Sequence, residues 1–207
     1  MKQKKSRYLF STINSGSTLF CALLSNTIRT WSEPPTLDVV KAGSFVEVDQ
    51  PQLHLATALT GKKVFLYRSL PTHLCAGMLL GQFEFHGLHK YWLEKWIDTI
   101  ELGLYSSDVL WIESNDFFRD VRGTMDKVCA HFKIPKIKST AWAGYNVKVA
   151  VPKRTPHPLI LKPPTGESDY CAKDGIIDYD KSLGLHPVKL AVEVVRKTHP
   201  HLTNFIT

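Results

Sequence analysis

Several patterns that assign a protein to a common class are absent from this sequence. None of its four cysteines belongs to a CxxC pair, so neither a zinc site nor a disulfide framework is expected, and buried thiols in a reducing compartment are predicted. No apolar run approaches the roughly 20 residues of a membrane span, and no N-x-S/T sequon occurs. Residues 1–7 are basic, but the apolar stretch at 8–13 is too short for a signal peptide. These absences favour a cytoplasmic chain; the Golgi lumen would require a longer natural N-terminus.

The balance of charge is uneven. The 207 residues include 26 Lys and Arg against 19 Asp and Glu, a formal net charge of +7, which favours an anionic partner. The lysines are scattered, and no basic helix or row of stacking aromatics stands out, so nucleic acid is not expected. A small polyanionic nucleotide fits the same charge. With 43% apolar residues, the chain is predicted to form one domain, 1–207, with its own core.

Residues 7–24 have the pattern of a strand, a turn of small residues and a helix. Residues 8–13 are apolar and rich in β-formers, and the apolar run from residue 18 favours a helix. Residues 14–17 lie between them. A short loop that leads directly into a helix presents backbone N–H groups and a partial positive charge, which suit a phosphate. An ordinary strand–turn–helix corner is the alternative interpretation.

The same loop lacks the signature of a nucleoside triphosphatase. That signature reads GxxxxGK[ST], in which backbone amides surround the phosphates and the Lys contacts them. This loop has neither the first Gly nor the Lys, and no clear acidic residue that would hold Mg²⁺ follows the fourth predicted strand. A phosphotransferase is therefore a disfavoured alternative for this chain.

Strands and helices are predicted to alternate as far as residue 135. The predicted strands are residues 8–13, 36–40, 64–67 and 108–112, and the predicted helices are 18–24, 49–59, 71–80, 86–104 and one that Asn115 or Asp116 caps and that runs to about 132. This alternation predicts an α/β fold in three layers, a parallel sheet with helices on both faces.

The remainder of the chain has a different texture. Residues 136–181 are rich in Pro and Lys and are predicted to form a long loop, which in compact domains is often a lid or a binding surface. Residues 187–198 are predicted to form a last helix with Pro in its first turn, and residues 199–201 a surface tail. His86 and His89 have no third ligand at suitable spacing, so no metal site is expected.

Three candidate groups directly follow predicted strands. They are residues 15–18, Lys41 and Arg68. Because ligands of parallel α/β sheets bind beyond the carboxyl ends of the strands, these groups are expected to converge on one crevice. The alternative for Lys41 and Arg68 is that each is a solvated side chain at a strand end.

In order and approximate register, residues 8–135 resemble the sulfotransferases that use 3′-phosphoadenosine 5′-phosphosulfate. The phosphosulfate loop of that family usually reads Pro-Arg/Lys-Ser-Gly-Thr-Thr-Leu-Leu. The residues that fit this pattern are Ser15, Gly16, Ser17, Thr18 and Leu19, with Ser17 a conservative replacement. Ile13 and Asn14 stand where the family has Pro and a basic residue. The resemblance is closest to the carbohydrate and tyrosylprotein branches and implies a P-loop-like fold.

The resemblance also implies a role for each candidate residue. The loop at 14–18 would bind the 5′-phosphosulfate, and Arg68 the 3′-phosphate. Glu33 matches a Glu-Pro that carries a catalytic carboxylate in several branches, so it is the candidate base. Lys41 is the candidate cation for the leaving group, because the loop's own basic residue is missing. Ala76 stands where the family has the Ser that completes the 3′-phosphate site.

The sequence therefore predicts a sulfotransferase that moves a sulfuryl group from 3′-phosphoadenosine 5′-phosphosulfate to a hydroxyl acceptor, a carbohydrate or similar molecule, without a metal. Asn14 and Ala76 depart from the family pattern. They keep open the alternative of a degenerate domain that binds the nucleotide but does not catalyse. The acceptor and the oligomeric state are not predicted.

Overall fold

A five-stranded parallel sheet forms the centre of the protein. The computed structural model describes residues 7–12, 15–25, 27–32, 43–48, 54–79, 88–140, 146–147, 159–160 and 176–207. The strands of the sheet are β1 (Arg7–Ser11), β2 (Thr30–Ser32), β3 (Phe45–Glu47), β4 (Lys62–Tyr67) and β5 (Val109–Glu113). Their order across the sheet is β2-β3-β1-β4-β5, and every neighbouring pair is parallel. The predicted parallel α/β architecture is confirmed.

Helices connect the strands and flank the sheet. They are α1 (Ser17–Ser25), α2 (Leu70–Leu79), α3 (Leu88–Leu104), α4 (Ser114–Arg119), α5 (Val121–Phe132), α6 (Tyr179–Gly184), α7 (His186–Thr198) and α8 (Thr203–Ile206). A 3₁₀ helix (Pro200–Leu202) precedes α8, and β6 (Asn146–Val147) pairs antiparallel with β7 (Leu159–Ile160). Among the described residues, no helix has the length and apolar character needed to cross a membrane.

Alternate residues of the central strands face opposite sides of the sheet. On one side Leu9 and Val64 pack against α1 and α5, in a core that includes Leu23 and Val128. On the other side Phe10 stacks on the Phe65 ring with centroids 4.9 Å apart. Both faces of β1 and β4 are therefore covered by packed side chains. The candidate loop lies at the carboxyl ends of these strands.

Two strands, β2 and β3, were not predicted. β2 lies within residues 25–35, where Pro34 and Pro35 forbid a continuation of the first helix. Each strand has three residues, too few for a periodic pattern, and gains its stability by pairing in the register Thr30↔Phe45 and Ser32↔Glu47. The predicted strand at 36–40 lies outside the described residues.

The helix predicted after the last strand is two helices. Asp120 departs from helical geometry at φ −137° and ψ 74°, and its side chain accepts a hydrogen bond from Gly123 N–H at 2.8 Å, which starts α5. Glu113 caps α4 by accepting from Asp116 N–H at 3.1 Å. The prediction of Asn115 or Asp116 as the cap was wrong, because the preceding strand residue provides the acceptor. α5 buries an apolar stripe at helical spacing, formed by Met125, Val128 and Phe132.

One further prediction was wrong, and another was confirmed. Of the helix predicted at 49–59, the described part is a single 3₁₀ turn at residues 54–56 followed by a turn. Residues 199–201 lie at the surface as predicted, with His199 half-buried and Pro200 and His201 exposed, whereas Leu202 and Ile206 after them are fully buried. Phe205 lies against the Trp111 ring at 4.6 Å and the Tyr67 ring at 5.3 Å. The apolar residues that follow this exposed segment therefore pack into the core.

Candidate nucleotide site

The turn between β1 and α1 is tightly built. Ser15 is fully buried; its N–H and its hydroxyl both donate to the Thr12 carbonyl, at 3.3 and 2.6 Å. Gly16 follows at φ +94°, a conformation that favours glycine. α1 then begins at Ser17, and the first N–H groups of any α-helix have no partner within the helix. The turn thus points a helix N-terminus toward the carboxyl edge of the sheet, as the sequence predicted.

Arg68 lies at the same edge. β1 and β4 are neighbours, with Ser11 opposite Leu66. Beyond the last paired residues, Thr12 N–H donates to the Leu66 carbonyl at 3.0 Å, and Arg68 N–H donates to the Thr12 hydroxyl at 3.1 Å. The backbone that leads into the loop and the backbone of Arg68 are therefore hydrogen-bonded to each other, and the predicted juxtaposition of loop and strand end is confirmed.

The Arg68 side chain is buried, with 4% of the residue exposed. Its Nη1 donates to Asn115 Oδ1 at 3.2 Å, and its guanidinium lies over the Phe118 ring, 5.6 Å from the centroid. Its backbone is held as well, because Trp96 Nε1 donates to the Arg68 carbonyl at 2.8 Å. The alternative that Arg68 is merely a solvated residue at a strand end is wrong.

Phe118 joins the loop to Arg68. A Cβ placed on Gly16 would lie 2.7 Å from Phe118 Cζ, so the ring packs directly on the glycine backbone while also facing the guanidinium. Gly16 is required here for two reasons, its positive φ and this close approach. Packing of an aromatic face against a guanidinium is favourable, and it fixes the orientation of the plane that contains the guanidinium N–H donors.

Three site residues that sequence reasoning missed follow one another at the end of β5. Glu113 Oε1 accepts from Ser69 N–H at 3.4 Å, Ser114 Oγ donates to the Ser15 carbonyl at 2.7 Å, and Asn115 holds Arg68. β5 pairs with β4, with Tyr67 opposite Glu113. The signal that could have found them is the rule used for Arg68, since these residues also directly follow a strand.

Burial raises the pKa of two groups at this edge of the sheet. Desolvation raises the pKa of the Glu113 carboxyl above its ordinary value of 4.5, against the lowering effect of the Asp116 and Ser69 N–H groups and of the Arg68 charge. Burial, with the nearby Glu113 and Asp116 charges, raises the pKa of Tyr67 to about 12. The Tyr67 hydroxyl is therefore neutral at physiological pH, and among the described residues Arg68 brings a positive charge to this edge.

The other predicted site residues divide into two groups. Asn14, Glu33 and Lys41 lie outside the described residues, although Glu33 directly follows Ser32, the last residue of β2. Ser17 and Thr18 form the first turn of α1, where both are half-buried.

Ala76 lies in an apolar environment, and the described cysteines are buried. Ala76 is 4% exposed and packs in a cluster with Cys75 and Ile177, so it supplies no hydroxyl to a phosphate. Cys21, Cys75 and Cys129 are buried and form no disulfide with one another, and Cys171 lies outside the described residues. In the part of the chain that the structure describes, no group of three or more His, Cys, Asp or Glu side chains is arranged to hold a metal ion.

Solved sulfotransferase structures resemble this chain. The sulfotransferase domain from the curacin biosynthetic pathway superimposes with a TM-score of 0.50 over 68% of this chain and 77% of its own, at 11% identity. Mouse sulfotransferase SULT7A1, complexed with PAP, superimposes with a TM-score of 0.56 over 99% of this chain and 89% of its own, also at 11% identity. The chain has the sulfotransferase fold.

Sequence comparison adds no closer relationship. No family model matches the chain, and no curated protein matches it significantly. Because the structural neighbours are only 11% identical, the likeness establishes the fold and leaves the chemistry of the site to be argued from its residues.

Proposed function

We propose that this protein is a sulfotransferase that moves the sulfuryl group of 3′-phosphoadenosine 5′-phosphosulfate to a hydroxyl acceptor, a carbohydrate or a similar molecule. One observation carries the proposal. The N-terminus of α1 and the buried Arg68 lie at one sheet edge, joined through Thr12, which bonds to both Leu66 and Arg68. A helix N-terminus and a guanidinium together suit a ligand with two phosphate groups.

The proposed assignments follow from this arrangement. The N–H groups in the first turn of α1 would hold the 5′-phosphosulfate, and the Arg68 guanidinium would contact the 3′-phosphate. The mouse neighbour was solved with PAP, adenosine 3′,5′-bisphosphate, which is the nucleotide that such a transfer releases. Its fold spans 99% of the present chain, and this supports a nucleotide of the same class here.

The reaction is an in-line displacement at sulfur. The acceptor hydroxyl oxygen forms a bond to sulfur as its proton passes to a base, proposed to be the Glu33 carboxylate. The bond between sulfur and the bridging oxygen breaks, and its electron pair leaves with the 5′-phosphate. Lys41 is proposed to stabilise that charge. In reactions of this kind most of the acceleration comes from positioning and charge stabilisation.

A degenerate domain that binds the nucleotide without transferring sulfate is the second candidate. Ala76 favours it, because its apolar cluster with Cys75 and Ile177 removes the hydroxyl that the family pattern has there. Asn14, at the position of the family's basic loop residue, favours it as well, since an uncompensated leaving group should cost several kcal/mol in the transition state.

The first test is the melting temperature of the protein with and without PAP. A ligand that binds only the native state must raise that temperature, so PAP should raise it and ATP with Mg²⁺ should raise it less. The reverse order would contradict the proposal in favour of a phosphotransferase. Transfer of sulfate to pooled carbohydrate, peptide and phenolic acceptors then distinguishes the enzyme from the degenerate binder.

A further inference from the structure

Asn115, in the first turn of α4, forms hydrogen bonds to two separate parts of the protein. Its Oδ1 accepts from Arg68 Nη1 at 3.2 Å and from Ile177 N–H at 3.1 Å, while its Nδ2 donates to the Ile177 carbonyl at 2.8 Å. The residue is 5% exposed. Because both ends of the amide are engaged, its orientation is determined, with the oxygen toward the guanidinium.

These bonds connect Arg68 to a segment that is far away in sequence. Ile177 precedes α6 and packs on Cys75 and Ala76 of α2. α2 itself begins just after Arg68. From the start of α4, the Asn115 amide therefore connects Arg68, which follows β4, to the Ile177 backbone. Displacing Ile177 would remove two of the three hydrogen bonds that orient this amide.

The chemical type of residue 115 also matters. A carboxylate beside Arg68 would form an ion pair and would neutralise much of the charge that attracts an anion. A neutral amide orients the guanidinium through its oxygen and leaves the net charge at this position unchanged. Asn115 thus orients Arg68 without adding a second negative charge to that of Glu113, whose carboxyl already interacts with the Arg68 charge.

We propose that Asn115 is a positioning residue for the nucleotide: it orients Arg68 toward the phosphate and makes that orientation depend on the seating of Ile177 on α2. The inference rests on the proposed function. It adds Asn115 to the proposed site, as the residue through which the position of Ile177, just before α6, affects nucleotide affinity.

A double-mutant cycle tests the proposal. PAP affinity is measured by calorimetry for the wild-type chain, Asn115→Ala, Arg68→Ala and the double variant. Asn115→Ala should weaken binding about tenfold, the lower range of a hydrogen bond to a charged group. In the Arg68→Ala background the same change should alter affinity by less than about twofold, since residues that act through each other are not additive. Thr99→Ala, another buried hydrogen-bonding residue on α3, controls for general destabilisation and should leave affinity unchanged.

Asn115→Asp provides an independent variant that retains the acceptor oxygen. The aspartate can still accept from Arg68 and from Ile177 N–H, but it loses the bond that Nδ2 donates to the Ile177 carbonyl. It should bind PAP more weakly than wild type, because of the added negative charge and the lost bond. Wild-type affinity in Asn115→Asp would overturn the proposal, and so would additive losses in the cycle.

Hydrogen exchange without nucleotide gives a second readout: the Ile177 amide should exchange faster in Asn115→Ala. If wild-type protein binds no PAP, the proposed function falls together with this inference; if it binds PAP and the cycle is additive, this inference alone falls.

Discussion

Gly16 carries the backbone conformation that brings α1 to the sheet edge. Its φ is +94°, and a Cβ would lie 2.7 Å from Phe118 Cζ. We expect Gly16→Ala to lower the free energy of unfolding by about 1–3 kcal/mol, because the new side chain adds backbone strain to a steric conflict. Urea denaturation measures the change.

Gly184 is the matched control for that substitution. It lies in the last turn of α6, and a Cβ there meets nothing within 4 Å. Gly184→Ala should be neutral or should stabilise the protein by about 0.4–1 kcal/mol. Equal effects of the two changes would show that the turn at Gly16 tolerates a side chain, contrary to its geometry.

Arg68 is the residue on which anion binding is predicted to depend most. Arg68→Ala should weaken PAP binding by about 1.5–3 kcal/mol, the scale of a hydrogen bond to a charged group. Because the side chain is buried and bonded to Asn115, we expect the free energy of unfolding to fall by about 1–3 kcal/mol as well.

Calorimetric titration with PAP well below the melting temperature separates these two effects. Arg119→Ala, on the exposed side of α4, removes an arginine whose side chain is 60% exposed and paired with Asp116 at 3.2 Å. It should change neither quantity appreciably, since exposed ion pairs contribute little. An unchanged PAP affinity in Arg68→Ala would leave Arg68 with only a structural role.

At the level of elements, the sequence predicted best where long periodic segments coincide with burial. α5 and β4 were found because their apolar residues recur at helical or strand spacing. β2 and β3 were missed because three-residue strands carry no period, and their stability comes from pairing with β1 and with each other. The placement of α1 and Arg68 at one edge followed from topology, which needs only strand ends and not side-chain detail.

The part of the site that was missed depends on long-range contacts. Ser114 reaches Ser15 across 99 residues of sequence, and Asn115 reaches Ile177 across 62. No local spacing encodes such pairs. Their residue types were also misleading, because Ser and Asn before a helix ordinarily suggest a cap. Here Glu113 takes that role, which leaves Ser114 and Asn115 to hold the loop and Arg68.

The C-terminal elements stabilise the face of the sheet opposite α1. Leu202 is fully buried in a cluster with Trp96 and residues of α7. Leu202→Ala should lower the free energy of unfolding by about 2–5 kcal/mol, the cost of a cavity in a packed core. The matched control, Leu190→Ala on α7, removes a leucine that is 54% exposed and should cost within about 0.5 kcal/mol. If both changes cost the same in urea denaturation, the C-terminal segment is not part of the core.

At the scale of the whole molecule, an enzyme and a degenerate binder share the fold and differ only in what surrounds the leaving group. Both would bind PAP through α1 and Arg68. A net charge of +7 would attract the nucleotide in either case. Affinity alone therefore does not separate them, and the distinguishing measurement is the rate of sulfate transfer once an acceptor is found.

Glu33 and Lys41 decide between the two. In an enzyme, Glu33→Gln should retain PAP affinity and lower turnover by about 10²–10⁴, the contribution of a general base. Lys41→Ala should also lower turnover, because Asn14 brings no cation to the leaving oxygen. Glu94→Gln and Lys90→Ala change an exposed charge pair on α3 and should leave turnover unaltered.

In a degenerate domain PAP would bind, no acceptor would be sulfated, and the substitutions of Glu33 and Lys41 would both be silent. Turnover that survives Glu33→Gln would instead assign the base to another residue, with His54, exposed in its 3₁₀ turn, the next to be varied.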